Sequence, residues 1–208
     1  MVPCPSTRDV VLWVPSASNT FSTASCWQSL RQTRNLVPWH KIVWFSASIP
    51  KASFILWLAI KGKLKTQDRL IQSSSQLSCL LCGSQMETHN HLFFSCSYTQ
   101  EIWMSLLMKS EIPYTHHSWN EWVDWMTKNH SGKKFKDIVL KLCFGMAIHS
   151  IWMERNNRFH ANSFKRPNEV LHAILELIRL RLTSLRKIHD TLENRSIQTS
   201  WGIPDTIF

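Results

Sequence analysis

Glycine and tyrosine are scarce in this chain: five and two among 208 residues, against eleven tryptophans. That composition speaks against a many-turned β fold and for helices. Acidic side chains are also few, 14 Asp and Glu against 24 Lys and Arg, which leaves a net charge of +10. No two of them are adjacent and none sits in a motif, so no carboxylate cluster for divalent-metal chemistry is legible. Gly-rich phosphate loops and nucleophile signatures are missing as well. No run approaches about 18 uncharged apolar residues, the length a membrane span requires. No signal peptide is legible either. The chain therefore reads as non-enzymatic, helical and intracellular, nuclear or cytoplasmic and not secreted. With 44% hydrophobic residues it can bury one sizeable core or two small ones.

Against this background one segment stands out. Cys79-Leu-Leu-Cys82-Gly83 is followed by His91-Leu-Phe-Phe-Ser-Cys96, giving Cys-x2-Cys-x8-His-x4-Cys. Thiolate and imidazole donors in two closely spaced pairs are what a tetrahedral Zn²⁺ takes. Gly83 permits the tight backbone such a knuckle needs. Four protein donors leave no open position for water, so one structural Zn²⁺ is expected on Cys79, Cys82, His91 and Cys96. His89 competes with His91. His91 is preferred because four residues separate it from Cys96, and because Thr88 as an N-cap would put it at the third helical position, pointing back toward the cysteine pair. Cys4, Cys26 and Cys143 are scattered, which argues for a reduced compartment and against a disulfide framework.

Several other runs carry a family resemblance. They are Trp44-Phe45, Ile49-Pro50-Lys51-x-Ser53-Phe54-x-x-Trp57-Leu58-Ala59, Leu64-x-Thr66-x-Asp68-Arg69-Leu70 and Glu87-Thr88-x-x-His91-Leu92-Phe93-Phe94-x-Cys96. In this order they resemble the plant reverse-transcriptase zinc-binding domain found downstream of the polymerase in LINE-type (non-LTR) retrotransposons. The likeness covers about residues 9–105. Ile151-Trp152-x-Glu154-Arg155-Asn156-x-Arg158-Phe159 is similar to the helix that follows that domain. Asn19 stands where a turn glycine is usual, and Lys51 is followed by alanine. The resemblance implies the non-catalytic tail of a retroelement polyprotein, as a relic or a truncated gene product, without polymerase or ribonuclease H carboxylates. A ribonuclease H-like domain often follows in that family, at the point where Trp201-Gly202-Ile203-Pro204 ends this chain.

The expected fold is mainly α, with a short N-terminal β-hairpin, a helical zinc-knuckle module and a C-terminal helical hairpin. The hairpin pairs Val10–Val14 with Thr20–Ser22 around a turn holding Asn19. Helices are expected at Thr23–Arg34, within Trp39–Phe45, from Pro50 to near Gly62, and at Gln67–Ser73 behind a Thr66 cap. Another carries Ile102, Trp103, Leu106 and Leu107. Residues 9–110 form the zinc-binding domain, 111–118 a linker with His116 and His117 on a loop surface, 119–192 a helical region and 193–208 a tail. Within the helical region, Trp119, Trp122 and Trp125 make a core stripe. Lys136–Arg158 then pairs with a final helix from Pro167 bearing Leu171, Ile174, Ile178 and Leu185.

Basic residues gather at Lys61, Lys63, Lys65 and Arg69, at Lys133, Lys134 and Lys136, and at Arg179, Arg181, Arg186 and Lys187. The first group precedes the knuckle and is the candidate nucleic-acid contact, with a knuckle aromatic such as Phe93 stacking on a base. The partner expected is nucleic acid, RNA before DNA, with retroelement proteins as a further class; no membrane and no small-molecule substrate is expected. The competing reading is a zinc-stapled structural or protein-interaction scaffold whose basic groups are solvated faces.

Overall fold

Pro50 fixes the backbone of the first turn of one helix and Pro167 does the same for another, so these two starts are set by the residues themselves. The computed structural model describes residues 10–32, 34–70, 78–113 and 118–208. Its helices are α1 (Thr23–Leu30), α2 (His40–Val43), α3 (Pro50–Ile60), α4 (Gln67–Leu70), α5 (Ser97–Lys109), α6 (Trp119–Asn129), α7 (Phe135–Ala161), α8 (Pro167–Thr183) and α9 (Leu192–Trp201). A π turn at His91–Ser95 and a 3₁₀ turn at Asp205–Ile207 complete the set. The fold is mainly helical, as the composition indicates.

Two compact units divide the chain, residues 1–37 and 38–208. In the first, the expected β-hairpin does not form. Asn19 takes the positive φ of 53° a turn requires, and the Trp13 N–H donates to its carbonyl at 2.9 Å. Pairing stops there because Ser22, at the end of the intended second arm, is the N-cap of α1 and accepts from the Ser25 N–H. Among the described residues the chain has no strand, and Ser78 and Met86 make an isolated antiparallel bridge. Helix α1 stops at Leu30 instead of reaching Arg34, its cap Arg31 being extended. No described residue of this unit is buried.

In the second unit α7 is the central strut, with α3 and α8 packed along it and α5 against α8. Most of α7 is buried, from Phe135 through Ile151 to Arg155. Gly145 faces Ala52 across the α3–α7 contact, where an added Cβ would lie 3.7 Å from the alanine methyl. A larger side chain would push the helices apart. The expected tryptophan stripe packs inward at Trp119 and Trp122, with Trp122 stacked on Phe94, Trp103 and Phe144, while Trp125 is half-buried. Asn162, left-handed at φ 47°, ends α7 and lets the chain return along α8. Ile174 and Ile178 line the buried face of α8; Leu185 falls beyond its end.

Residues 193–208, read from sequence as a tail, instead contribute α9 and the 3₁₀ turn and bury Ile197, Trp201, Ile203 and Ile207. Of the helix expected at Gln67–Ser73, the part up to Leu70 is α4 and the rest lies outside the described residues, as do His116 and His117. No helix among the described residues is long and apolar enough to cross a membrane.

Candidate metal centre

The Cys79–Gly83 loop is a tight turn closed by its own backbone. The Gly83 N–H donates to the Cys79 carbonyl at 2.7 Å, and the Cys79 N–H to Gln85 at 2.6 Å. Gly83 has φ 72°, and nothing lies within 4 Å of where its Cβ would be. It is the backbone angle, not space, that calls for glycine here.

The second ligand pair rests on a different device. Residues five apart on an α-helix point about 140° away from each other, so His-x4-Cys on a regular helix would not converge. The π turn at His91–Ser95 removes that difficulty: the Cys96 N–H bonds back to the His91 carbonyl at 2.8 Å, bringing the two side chains to one side. Thr88 holds the start of the turn, its hydroxyl accepting from the His91 N–H at 3.0 Å.

Cys79, Cys82, His91 and Cys96 come together so that their four donor atoms all lie within 4.8 Å of one another. The Cys79 and Cys96 sulfurs are 3.9 Å apart, and Cys82 Sγ is 3.3 Å from His91 Nε2. A zinc tetrahedron with sulfur and imidazole ligands has edges of about 3.6–3.8 Å. The donors therefore fit one structural Zn²⁺, all four of them from protein. Zinc there would staple the two ligand arms together and would supply no reactive position.

The thiols are poised for deprotonation in unequal ways. A hydrogen bond with the Cys96 sulfur brings Cys79 down to about 6, against opposing burial, and the same bond raises Cys96, which keeps the proton. At Cys82, burial opposes ionisation but contacts with Ser84, whose hydroxyl lies 3.2 Å away, and with His91 outweigh it and lower the thiol. Metal binding would displace the remaining protons. His89 is turned away from the cluster. Its ring meets Phe93 and Trp119 edge-on at 4.9 and 4.3 Å, and burial, helped by the charge of Arg69, lowers it to about 4. It is a neutral core residue here.

Helix α7 braces the knuckle from behind, a role not visible in the sequence spacing. Arg158 Nη1 donates to the carbonyls of Leu80 and Leu81 at 3.0 and 2.9 Å, between the two knuckle cysteines, while its Nε binds Glu154 at 2.7 Å. Arg155 forms a buried ion pair with Glu87 at 2.9 Å; both are at most 2% exposed. Glu87 also accepts from the Gln67 backbone and side-chain N–H groups, and Gln67 donates to the Ser78 carbonyl. Glu87 thus links the segment between the ligand pairs to α4 and α7. The partner of Arg155, Glu87, is 68 residues away in the sequence.

Of the candidate nucleic-acid residues, Lys61, Lys63 and Lys65 are exposed around the turn that follows α3, where Gly62 has φ 62°. Arg69 folds back and donates to the Gly62 carbonyl at 2.8 Å, so it braces that turn. Phe93, expected to project for base stacking, is instead fully buried, its carbonyl accepting from the Trp103 indole. Among the other clusters, Arg179 and Arg181 are bound to the backbone carbonyls of Gly202, and of Ala47 and Ser46, respectively. Lys133 and Lys134 share a groove of about 470 Å³ with Lys187 and His189.

Residues 21–103 match the family model described as zinc-binding in reverse transcriptase. All four metal-centre residues lie inside the match. It ends within α5, so α6 to α9, with Arg155 and Arg158, lie outside it. No curated protein and no solved structure matches the chain.

Proposed function

We propose that the protein is a non-catalytic, zinc-stapled nucleic-acid-binding module of the reverse-transcriptase zinc-binding type, derived from a plant LINE-type retrotransposon and working in the nucleus or cytoplasm, with RNA as its first ligand. The observation that carries this reading is the exposed lysine turn beside the metal centre. Lys61, Lys63 and Lys65 flank it, and its continuation through Gln67 and Asp68 bonds to Glu87 between the ligand pairs. Lysines held on a short turn tied to a rigid knuckle can neutralise neighbouring phosphates. Retroelement proteins are a further partner class on this reading.

A filter-binding salt titration with single-stranded RNA tests it. Log affinity should fall linearly with log salt, and replacing Lys61, Lys63 and Lys65 by glutamine should flatten the slope by about 0.7 for each phosphate no longer neutralised. Zinc content should not change, since none of the three is a ligand. Arg69→Gln should act mainly by loosening the turn. An unchanged slope in the triple variant would move the binding face elsewhere, first to the groove formed by Lys133, Lys134 and Lys187. Primer extension and nucleic-acid cleavage should stay at background with Mg²⁺ or Mn²⁺; activity abolished by a point substitution would overturn the non-catalytic assignment.

The burial of Phe93 and Phe94 favours a second reading, a structural scaffold in which zinc serves only to complete the core. It predicts no RNA binding even at low salt.

A further inference from the structure

With Phe93 buried, the knuckle itself offers no ring for stacking on a base, and an exposed replacement lies on α3. Between Asp9 and Asp68 the chain has no aspartate or glutamate, yet it carries Arg31, Arg34, Lys41, Lys51, Lys61, Lys63 and Lys65. Helix α3 lies inside this acid-free stretch. At 100° per residue, its Ala52, Leu56 and Ala59 fall on the buried side, while Trp57, Lys61, Phe54, Leu58 and Lys51 share an arc of about 120° on the opposite side.

On that outer arc Phe54 is 52% exposed. Trp57 lies beside it, half-buried against the core, with ring centroids 5.8 Å apart and planes tilted by 37°. Trp57 thus gives the exposed ring a fixed support. Lys51 is one turn before Phe54 and Lys61 two turns after it, about 15 Å from each other along the helix. Neither ammonium has a hydrogen-bond or ion-pair partner among the described residues. Lys63 and Lys65 continue the same basic line around the Gly62 turn.

We infer that the outer face of α3 is a stacking platform for single-stranded nucleic acid. A base lies on Phe54, and the phosphates on either side meet Lys51 and Lys61. The inference rests on the nucleic-acid reading above and names the residue that touches the base. Charge decides the occupant: an exposed ring between two unpaired cations, with no carboxylate on the helix, suits a ligand that alternates flat rings with anions. An apolar protein partner would have to desolvate both lysines without compensation.

The test compares Phe54→Ala, Phe54→Trp and Lys51→Gln with the wild type, using a single-stranded RNA, the same sequence as a duplex, and anionic vesicles. Because the Phe54 ring is half exposed, the alanine variant should keep its zinc and its melting temperature. Its affinity for the single strand should fall about 10- to 100-fold with the salt slope unchanged, since the substitution removes a stacking surface and leaves every phosphate-binding cation in place. Phe54→Trp should restore affinity. Lys51→Gln should flatten the slope by about 0.7.

Wild-type affinity in Phe54→Ala, while the Lys61/Lys63/Lys65 variant still loses slope, would remove the platform and leave the nucleic-acid reading intact. No wild-type binding to RNA at low salt would remove both. Equal losses on single strand and duplex would exclude stacking. Preferential binding to vesicles, or a dimer that Phe54→Ala dissociates, would assign this face to a membrane or to a second copy and overturn the inference.

Discussion

Replacing Cys82 by serine is expected to reduce zinc from one ion per chain to none, whereas replacing His89 by alanine should leave the zinc in place. Serine keeps the shape of the side chain but removes the thiolate, and three remaining donors around a half-exposed vertex cannot close a tetrahedral site. His89 has no such consequence, because its ring packs between Phe93 and Trp119 on the other side of the segment. The loss of metal should be local. A classical zinc finger unfolds completely without its ion, but here α3, α5, α7 and α8 supply most of the core, to which the knuckle adds Leu81, Leu92, Phe93 and Phe94. Amides of residues 78–96 should therefore exchange rapidly in Cys82→Ser or after chelation, while those in the middle of α7 stay protected. Zinc retained by Cys82→Ser, or lost from His89→Ala, would refute the ligand assignment.

The second large effect concerns the buried pair behind the knuckle. Arg155→Met should lower stability by about 3–5 kcal/mol, because it leaves the Glu87 carboxylate buried with no cation to compensate it. Hydrogen bonds from Gln67 remain but supply no counter-charge. For a unit of this size that corresponds to a fall of roughly 10 °C in melting temperature. The double variant Arg155→Met/Glu87→Gln should recover much of the loss, since both charges are then gone. Zinc affinity should weaken in the single variant as well, because Glu87 anchors the link between the two ligand pairs. Chemical denaturation settles the matter: an Arg155→Met protein within about 1 kcal/mol of wild type would mean that the pair contributes nothing net.

How much of this was legible beforehand differs from element to element, and the differences have causes. The knuckle was legible because metal ligation imposes a short, local spacing: Cys79, Cys82, His91 and Cys96 span eighteen residues and need few long-range contacts to meet. The π turn that lets His91 and Cys96 converge was not, since its signal is a hydrogen-bond register and not a residue type. Helices opening at Pro50 and Pro167 followed from the fixed φ of proline. The N-terminal hairpin failed although Asn19 turns as expected, because Ser22 is recruited as a helix cap and that local bond outcompetes a two-residue ladder. Helix α9 went unread because its apolar positions are sparse, and Trp201, Ile203 and Ile207 gain a buried face only from the helices they dock onto.

The sequence alone therefore determined the class of the protein: helical, basic, and bearing a closed four-ligand site suited to zinc. Those properties depend on composition and on neighbours in the chain. Tertiary structure decided which side chains are available and for what. It buried Phe93 and Phe94 in an aromatic core while leaving Phe54 in the open, turned His89 inward and His91 toward the cysteines, and spent Arg69, Arg179 and Arg181 on backbone carbonyls while leaving Lys61, Lys63 and Lys65 exposed. It also drew Arg155 and Arg158 across from a helix more than sixty residues away to hold the knuckle. The reason is physical: exposure and pairing are set by contacts between distant segments, and no local spacing encodes them.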